Sequence, residues 1–492
     1  MTKIAAVIAA GTAAEAERQA RAAFRRGADL VELRFDAFRR ATPAEVRTLA
    51  AALGPRSIGT LRTPGQGGFH GSDLATRHAL LQEICRQPFR YADVELTSDA
   101  IHLEEYAKLA RSRGKDLIVS HHFDRPSPAD EAADVLEACL AQGTVGKVAV
   151  PCDTVDQAVG LVEVGRRLKK SRFVLIGMGA AGVITRILAE DLGQEIQYAA
   201  GNRATASGQL DLEAAVQLRA KNALILGLLG HPLGHSISPQ IHTAALTALR
   251  LPGVYVPFDL EDASVEPFLR DAERLQIRGL SVTIPYKETV AGLLDEVDAD
   301  AEAVGAVNTV VLRDDWTKGH NTDVYGFRVS LRSLGLRMGS RSVLVLGAGG
   351  AAKAIVHVLL REGASVHVAN RTPDRAKALA ASFDGPVDVV GVEDLDRAGP
   401  WDLLVNATPV GTNGGDSGPP VGDAVVRKAH FVYDLVYNPQ DTPLLQAARR
   451  LGVKGTSGLD MLLHQASKSF ELWTGHEAPI AEMRKAAEEA LR

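Results

Sequence analysis

The chain has 492 residues, of which 46% are hydrophobic and 23% are charged, and its formal net charge is −5. Single hydrophobic cores stop growing well below this length, so at least two domains are expected. Acidic and basic residues are interspersed, which argues against a nucleic-acid or membrane-surface protein and predicts small-molecule partners. The pattern indicates no particular oligomeric state.

The cysteines predict a reducing compartment. Cys85, Cys139 and Cys152 show neither CxxC spacing nor a metal-ligand grouping, which is typical of free thiols. The apolar run at residues 4–10 is soon followed by Glu15 and Glu17, and no apolar segment reaches membrane length. We therefore expect a cytoplasmic protein.

Up to about residue 218, short apolar runs alternate with longer amphipathic stretches. The apolar runs predict eight strands, with cores at residues 4–9, 30–34, 57–61, 91–96, 117–121, 146–150, 173–177 and 196–200. Stretches such as 13–26 and 129–141 are long enough to be helices. Eight such units predict a (β/α)8 TIM barrel. An open doubly wound sheet has the same alternation and is the alternative, although the count of eight favours closure.

Polar residues lie at the predicted strand ends, where barrel enzymes carry their active sites. They are Glu32, Arg34, Arg62, Glu95, His121, His122, Lys147, Arg186 and Gln209. Lys147 interrupts an apolar strand, and a charged amine is costly to bury there. A depressed pKa with Schiff-base chemistry is one interpretation, and an edge-strand lysine is the other.

Residues 31–36, 120–122, 147, 178–186 and 206–209 resemble type I 3-dehydroquinate dehydratase, across roughly residues 3–218. The resemblance implies that Lys147 forms an imine with 3-dehydroquinate, that His122 moves the proton, and that Arg186 pairs with the carboxylate. It implies that the ring is held by Glu32, Arg34, Arg62, Thr205 and Gln209. The product would be 3-dehydroshikimate.

The sequence departs from that family at three positions. Gln66 stands where a glutamate usually precedes two glycines, and Thr185 and Thr205 replace serines. Because Gln66 cannot form an ion pair with the histidine, we expect a lower pKa for His122 and slower turnover. The Ser-x-His pattern alone selects His122 over His121.

Residues 177–182 also match the GxGxxG pattern of dinucleotide-binding turns. The strand that follows does not end in an acid or an arginine that could bind the ribose of a cofactor, so this segment is assigned to the barrel.

A second unit is predicted to begin near residues 220–223, with a strand at 224–229. Another βαβ pattern starts at residues 342–346. The sequence therefore predicts an α/β chain with a barrel at 1–221, a substrate lobe at 222–326 and a Rossmann-type nucleotide lobe at 327–458. Helices at 459–492 are predicted to return to the substrate lobe.

A glycine-rich turn follows the strand at 342–346. It consists of Gly347, Ala348, Gly349, Gly350, Ala351 and Ala352. Gly347 permits the tight turn and Gly349 leaves room for a pyrophosphate at the helix N-terminus. The next strand ends at the segment Asn370, Arg371, Thr372, Pro373, Asp374 and Arg375. An acid there would favour NAD, whereas Arg371 and Arg375 favour the 2′-phosphate of NADP; a solvated basic turn is the alternative.

Segments 234–239, 281–287, 305–309, 321–323 and 458–465 resemble shikimate dehydrogenase, along residues 224–480. Lys287 is predicted to follow a strand at 280–286 and Asp323 to close a turn at 319–323. By themselves they would be a surface lysine and a turn aspartate; the resemblance makes them an acid–base pair. It implies that the substrate binds Ser236, Ser238, Thr283, Asn308, Tyr437 and Gln465. It also implies that Thr408, Leu435 and Gly458 contact the cofactor.

The two resemblances imply consecutive reactions that end with reduction of 3-dehydroshikimate to shikimate. A quinate dehydrogenase fusion and a regulatory binding protein that retains the pockets are the alternatives. His231 and His235 are four residues apart, but Pro232 and Gly234 indicate a loop rather than a metal-binding helix. We therefore predict no metal.

Overall fold

The computed structural model describes residues 1–202, 204–220, 223–234, 236–313, 316–413 and 418–492. The predicted boundary at 221/222 and the loop histidine His235 lie outside this part of the chain. Two compact units are present. One comprises Met1–Leu224, Pro252–Val254 and Phe258–Leu275, and the other comprises Ile225–Leu251, Tyr255–Pro257 and Gln276–Arg492.

Eight strands alternate with eight helices in residues 1–220. The strands are β1 (Lys3–Ile8), β2 (Leu30–Arg34), β3 (Ser57–Thr60), β4 (Tyr91–Glu95), β5 (Asp116–His122), β6 (Val145–Pro151), β7 (Phe173–Met178) and β8 (Ile196–Ala200). The helices are α1 (Ala13–Arg25), α2 (Pro43–Leu53), α3 (Leu74–Arg86), α4 (Leu103–Ser112), α5 (Ala129–Gln142), α6 (Val155–Arg167), α7 (Gly179–Ile187) and α8 (Leu212–Gln217). Several begin at a side-chain cap: Thr42 at α2 and Thr154 at α6 form capping boxes with Glu45 and Gln157.

The eight strands pair in parallel in the order β7-β6-β5-β4-β3-β2-β1-β8. The two ends of this order meet where the Glu195 amide donates to the Phe173 carbonyl at 2.8 Å. Inward-facing side chains such as Val7, Ile58 and Ile118 fill the interior. The sheet therefore closes into a packed barrel, which confirms the predicted (β/α)8 class over the open sheet.

Residues 224–333 form a six-stranded mixed sheet with flanking helices. Its strands are β9 (Leu224–Gly230), β10 (Gly253–Asp259), β11 (Ile277–Val282), β12 (Glu296–Val297), β13 (Thr309–Arg313) and β14 (Trp316–His320), in the order β10-β9-β11-β13-β14-β12. The helices are α9 (Ser238–Ala248), α10 (Val265–Asp271), α11 (Lys287–Ala291), α12 (Ala299–Val304) and α13 (Thr322–Ser333).

Residues 342–457 form a parallel Rossmann-type sheet in the order β17-β16-β15-β18-β19-β20. Its strands are β15 (Ser342–Leu346), β16 (Ser365–Ala369), β17 (Val387–Val389), β18 (Trp401–Asn406), β19 (Ala429–Asp434) and β20 (Lys454–Ser457). The helices are α14 (Gly350–Arg361), α15 (Pro373–Ala381), α16 (Asp423–Val426) and α17 (Pro443–Arg450), followed by α18 (Leu459–Thr474) and α19 (Ile480–Ala490). The predicted Rossmann-type lobe is confirmed.

Helices α18 and α19 pack against the part of the chain that contains β9 to β14. Helix α18 contacts α13, α19 contacts α9, and the Trp473 indole donates to the Val310 carbonyl at 2.9 Å. Among the described helices, none combines the length and the apolar character needed to cross a lipid bilayer.

Two local predictions in the second unit were wrong. The strand expected at 280–286 ends at Val282, because Pro285 has no N–H for a continuing ladder. Lys287 consequently begins helix α11. Asp323 lies in the first turn of α13 and does not close a turn.

Candidate active sites

A cavity of about 500 Å³ opens at the carboxyl end of the barrel strands. All eight barrel residues predicted for the site line it: Glu32, Arg34, Arg62, His122, Lys147, Arg186, Thr205 and Gln209. They come from different strands and loops, and closure of the barrel brings them together.

Lys147 is the most constrained group in the cavity. It projects from β6, is 3% exposed, and its Nζ lies 3.0 Å from Asp93 Oδ2 and 3.4 Å from Glu32 Oε1. The same ammonium lies 3.9 Å from the centroid of the Tyr198 ring. Two carboxylates and an aromatic face therefore compensate for the loss of water around the amine.

Asp93, on β4, links Lys147 on β6 to Arg62, which follows β3. Arg62 Nη2 contacts Asp93 Oδ2 at 3.0 Å, and its Nη1 contacts Glu95 at 3.4 Å and the Ser120 hydroxyl at 2.8 Å. Burial would raise the pKa of Asp93, but the charges of Arg62 and Lys147 outweigh it and hold that pKa below its usual value. The carboxylate thus stays ionised between two cations.

Arg186 has a different environment. It is 5% exposed, its Nη1 donates to the Tyr198 carbonyl at 3.3 Å, and its Nε has no hydrogen-bond partner. Within the described ranges no carboxylate pairs with it, and burial lowers its pKa to about 10. A buried, uncompensated guanidinium facing a cavity is suited to an anionic ligand.

His122 lines both this cavity and a neighbouring one of about 400 Å³, whereas His121 lines the neighbouring cavity but not this one. Burial, reinforced by the positive charges of Arg62 and Lys147, holds the pKa of His122 well below its ordinary value. Its imidazole is therefore neutral and able to accept a proton at neutral pH. This arrangement favours His122 over His121 as the base.

Gln66 lies beside His122, as the sequence suggested. Its Oε1 accepts the His122 backbone N–H at 3.0 Å, and its Nε2 donates to the Thr97 hydroxyl at 3.1 Å. Gln66 therefore orients the backbone of β5 but adds no charge to the imidazole.

The remaining barrel residues form local pairs at the rim. Arg34 makes a two-point contact with Asp36 at 2.9 and 2.7 Å, and Gln209 Oε1 accepts the Thr205 N–H at 2.8 Å. Burial would raise the pKa of Asp36, but Arg34 lowers it further than burial raises it. These pairs hold the side chains in place around the cavity.

In the second unit, Lys287 and Asp323 meet at the N-termini of α11 and α13. Lys287 Nζ donates to Asp323 Oδ2 at 2.6 Å. The side chains are 17% and 9% exposed. The start of α14 lies next to them, because a Cβ on Gly350 would be 3.6 Å from the Lys287 Cβ. The predicted acid–base pair is therefore an ion pair beside the glycine-rich turn.

Several polar groups of the predicted substrate site form hydrogen bonds with one another or with the chain beside Asp323. Asn308 Oδ1 accepts the Thr322 N–H at 2.7 Å, and Asn308 Nδ2 lies 3.4 Å from Gln465 Oε1. Ser236 Oγ accepts the Ser238 N–H at 3.3 Å. Thr283 and Tyr437 are partly buried, and the contacts of the described chain do not tie them to this group.

The predicted cofactor residues lie at the carboxyl edge of the parallel sheet. Gly347, which follows β15, has a φ of +112°, and a Cβ there would lie 2.9 Å from the Ala407 carbonyl. Around Gly349 a Cβ would meet open space, and no side chain caps helix α14. Thr408, Leu435 and Gly458 follow β18, β19 and β20 at the same edge. Free N–H groups and open space are what a bound pyrophosphate requires.

Arg371 lies next to the glycine-rich turn. The Gly347 N–H donates to the Ala369 carbonyl at 2.8 Å, and Arg371 follows two residues later. Arg371 and Arg375 are exposed, and neither has an acidic partner among the described residues. Asn370 Nδ2 is bonded to the Thr372 carbonyl at 2.9 Å, which shapes this turn.

Comparison with known proteins agrees with this geometry. Models of the shikimate dehydrogenase substrate binding domain, of shikimate / quinate 5-dehydrogenase and of the shikimate 5′-dehydrogenase C-terminal domain match residues 228–310, 330–412 and 458–488. The shikimate dehydrogenase (NADP(+)) of Caldanaerobacter subterraneus subsp. tengcongensis is 46% identical over 256 residues, which is 51% of this chain and 91% of the relative. The chain belongs to the shikimate dehydrogenase family.

The type I 3-dehydroquinase model matches residues 4–221, the barrel. The shikimate dehydrogenase is thus fused to a type I 3-dehydroquinase, and the chain is a bifunctional shikimate-pathway enzyme, a lyase and an oxidoreductase. The regulatory-protein alternative is not supported.

Two solved structures resemble the shikimate dehydrogenase part. Shikimate 5-dehydrogenase from Thermus thermophilus, in complex with NADP(H) and shikimate, has 38% identity and a TM-score of 0.50, covering 55% of this chain and 100% of its own. Quinate dehydrogenase from Corynebacterium glutamicum, in complex with NAD, has 36% identity and a TM-score of 0.51, covering 54% and 99%.

Two residues that contact Lys147 were missed from the sequence. Asp93 contacts Lys147, and Tyr198 lies under the ammonium with its own hydroxyl buried and unpartnered. Both face the barrel interior from strands that are not adjacent to β6. An aspartate inside the apolar run at 91–96 is a signal that could have indicated the first.

Proposed function

We propose that the barrel dehydrates 3-dehydroquinate to 3-dehydroshikimate through an imine on Lys147. The observation that carries this proposal is the buried, uncompensated guanidinium of Arg186 in the cavity that also holds Lys147 and His122. A substrate carboxylate would supply the missing negative charge. The ketone of the same ring would then face the amine.

The reaction requires a neutral amine, and Glu32, whose Oε1 lies 3.4 Å from Lys147 Nζ, can accept the proton that the ammonium loses. The amine adds to the ketone, and loss of water leaves an iminium. His122 removes a proton from the adjacent carbon, and the C–H electrons move towards the nitrogen. The electron pair on the nitrogen then moves back towards the ring and forms the new double bond. This breaks the bond to the β-hydroxyl, which takes the proton from His122 and leaves as water. Hydrolysis then releases the unsaturated ketone and restores Lys147.

Borohydride trapping tests this step. Incubation with 3-dehydroquinate and sodium borohydride should leave a secondary amine at Lys147 with the added mass of the ring ketone, substrate or product, less one oxygen atom, because water is lost when the iminium forms and hydride then reduces it irreversibly. Peptide mass spectrometry locates the adduct. Lys147→Met is the matched control and should give none. An adduct on another lysine, or substrate turnover without any adduct, would refute the assignment.

We further propose that the second unit reduces 3-dehydroshikimate to shikimate with NADPH. Lys287 protonates the carbonyl oxygen as the ketone becomes an alcohol, and Asp323 holds the ammonium at 2.6 Å. Ser236, Ser238, Thr283, Asn308, Tyr437 and Gln465 bind the carboxylate and hydroxyls of the ring. NADPH, when bound, supplies the hydride.

Arg371 selects NADPH in this proposal. The open space at Gly349, the uncapped start of α14 and an arginine without an acidic partner fit a dinucleotide that carries a 2′-phosphate. The turn that binds the 2′-phosphate end of the cofactor also contains Asn370, Thr372 and Arg375. Gly347, Ala348, Gly350 and Ala351 line the pyrophosphate, and Thr408, Leu435 and Gly458 lie towards the nicotinamide.

Replacing Arg371 tests the cofactor assignment. Arg371→Asp should lower kcat/KM for NADPH by about 10- to 100-fold and leave NADH unchanged or improved, because the carboxylate repels a phosphate and can accept a ribose hydroxyl. Arg375→Asp is the comparison within the same turn and should have a smaller effect. An unchanged preference in Arg371→Asp would count against the assignment. Comparing kcat/KM for oxidation of shikimate and of quinate distinguishes this activity from that of a quinate dehydrogenase, which would prefer quinate.

We also propose the division into 1–221, 222–326, 327–458 and 459–492. The packing of α18 and α19 on the part that contains β9 to β14 supports the last range. A cytoplasmic location is supported by three buried free cysteines.

A further inference from the structure

Two imidazoles and a carboxylate meet on the outer face of the barrel, away from the dehydratase cavity. His78 lies in α3, His102 ends the 3-10 turn Ala100–His102, and Glu105 lies in α4. Their ligand atoms all lie within 4.8 Å of one another. His78 Nε2 is 3.8 Å and His102 Nδ1 is 3.6 Å from Glu105 Oε2.

These separations are close to those of a zinc site. Ligand atoms at about 2.0–2.1 Å from a tetrahedral zinc ion lie about 3.3–3.4 Å from each other. The two histidine–carboxylate distances exceed that spacing by a few tenths of an ångström. The side chains are 27%, 42% and 42% exposed, so an ion can enter and the ligands can close on it.

The far side of His78 is already held. Its Nδ1 lies 2.8 Å from the Tyr106 hydroxyl. When Nδ1 donates to the phenol oxygen, Nε2 is the ring nitrogen that keeps a free lone pair. The His102 ring stacks on this imidazole with the centroids 3.9 Å apart, so binding an ion requires the two rings to rotate. Metal-binding histidines are commonly oriented in this way by a partner on the other ring nitrogen.

The side-chain amide of Gln82 lies between His78 and Glu105. Gln82 Nε2 lies 3.0 Å from His78 Nε2 and donates to Glu105 Oε1 at 2.5 Å. The Gln82 amide group thus contacts both His78 Nε2 and Glu105 Oε1, the two atoms that a bound cation would contact. Rotation of the amide would free both acceptors and could present its oxygen to the ion.

We propose that His78, His102 and Glu105 bind a divalent transition-metal ion such as Zn²⁺, with Gln82 or water as the fourth ligand. Imidazole ligands favour zinc, nickel and copper over magnesium and calcium. The ion would join α3 to α4.

This link would lie beside a buried ion pair that is connected through Glu95 to Arg62 in the cavity lining. Arg77, adjacent to His78, contacts both carboxylate oxygens of Asp99 at 2.7 Å, and Asp99 accepts the Glu95 N–H at 2.8 Å. Glu95 in turn contacts Arg62. The bound ion would therefore stabilise the barrel and leave the dehydratase chemistry unchanged.

Calorimetric titration of the full chain with zinc chloride tests the proposal. We expect one ion per chain with a micromolar Kd, and negligible binding of magnesium. His78→Ala and His102→Ala should each weaken binding at least 100-fold. Tyr106→Phe, which removes only the orienting hydroxyl, should weaken it about 10- to 100-fold. His70→Ala, at an exposed histidine before α3, should bind as the unmodified chain does.

The same variants give a second readout. Saturating zinc should raise the Tm of the barrel by about 5 °C in the unmodified chain and in His70→Ala, but not in His78→Ala. Dehydratase activity without zinc reports whether each variant folds. Equal zinc affinity in the His78→Ala/His102→Ala double variant would overturn the proposal, as would the absence of zinc binding or an equal affinity for magnesium.

Discussion

The two active sites of this chain hold their charged residues in different ways. In the barrel, Lys147 is 3% exposed and contacts two carboxylates, one of which also pairs with Arg62. In the dehydrogenase, one ion pair joins Lys287 to Asp323, and the other predicted substrate residues are uncharged. The first site is a buried charge network and the second is a single pair among hydrogen-bonding groups.

This difference follows from the chemistry that each site performs. The barrel must supply both the nucleophile and the base from its own side chains, so their protonation states have to be set by burial and neighbouring charge. The dehydrogenase obtains its reactive group from the cofactor and needs a proton donor plus groups that recognise a polyol. Perturbed pKa values should therefore govern the barrel activity much more than the dehydrogenase activity.

The largest expected effect comes from breaking the ion pair. Lys287→Met should lower the dehydrogenase kcat by about 10²- to 10⁴-fold, because the proton donor is lost while the hydrophobic length of the side chain is kept. KM for the ring substrate should change little. Steady-state kinetics of both activities on the same sample would measure this.

Dehydratase activity is the internal control for folding, and it should remain within twofold. A comparable loss of both activities would show that the substitution unfolds the chain. A dehydrogenase kcat within a few-fold of the unmodified value would remove Lys287 from its proposed role.

A smaller effect is expected at Gln66, in the barrel. Because the pKa of His122 is depressed and the base acts when neutral, the dehydratase should remain active below pH 6.5. Gln66→Glu places a negative charge beside the imidazole, and this raises its pKa. The acid limb of kcat/KM should then move to higher pH by the same amount.

Gln66→Met separates charge from packing. It removes the hydrogen bond to the His122 N–H without adding a charge, so its activity should fall while its acid limb stays in place. Identical pH profiles for Gln66→Glu and the unmodified chain would show that this carboxylate does not reach the base.

The strand patterns in the sequence were enough to predict most of the fold. The predicted cores at 30–34, 196–200 and 342–346 coincide with β2, β8 and β15. Apolar runs bounded by polar turns define such strands locally. The predicted strand at 280–286 was too long, because its β-branched residues outweighed the effect of Pro285 on the ladder.

Interactions between distant strands could not be predicted in this way. Asp93 and Tyr198 contact Lys147 across the barrel interior, and their positions depend on the closure and stagger of the sheet. The same limit applies to His78 and His102, which are far apart in sequence and meet because α3 and α4 are neighbours. The barrel residues next to strand ends were predictable because parallel strands share one carboxyl edge.

The smallest expected effect concerns stability of the second unit and not catalysis. His242 in α9 is fully buried, stacks on Tyr255 with ring centroids 4.4 Å apart, and neither of its ring nitrogens has a hydrogen-bond partner. Burial lowers its pKa to about 3. The unfolded chain binds a proton here below about pH 6.5, whereas the folded chain does not.

Stability from this group is therefore present above pH 6.5 and is lost as the pH falls towards 3, by about 2 kcal/mol at pH 5. His242→Phe keeps an aromatic ring and removes the titrating group, so the difference between its urea midpoints at pH 8 and pH 5 should be smaller than in the unmodified chain. Dehydrogenase activity, measured along the same urea titration, should be lost at the same midpoint. His476→Phe, at an exposed histidine, should leave the difference unchanged. If both variants show the same pH dependence as the unmodified chain, the acid sensitivity of this unit arises from its carboxylates. The two active-site regions would then differ less in their response to pH than their buried charges imply.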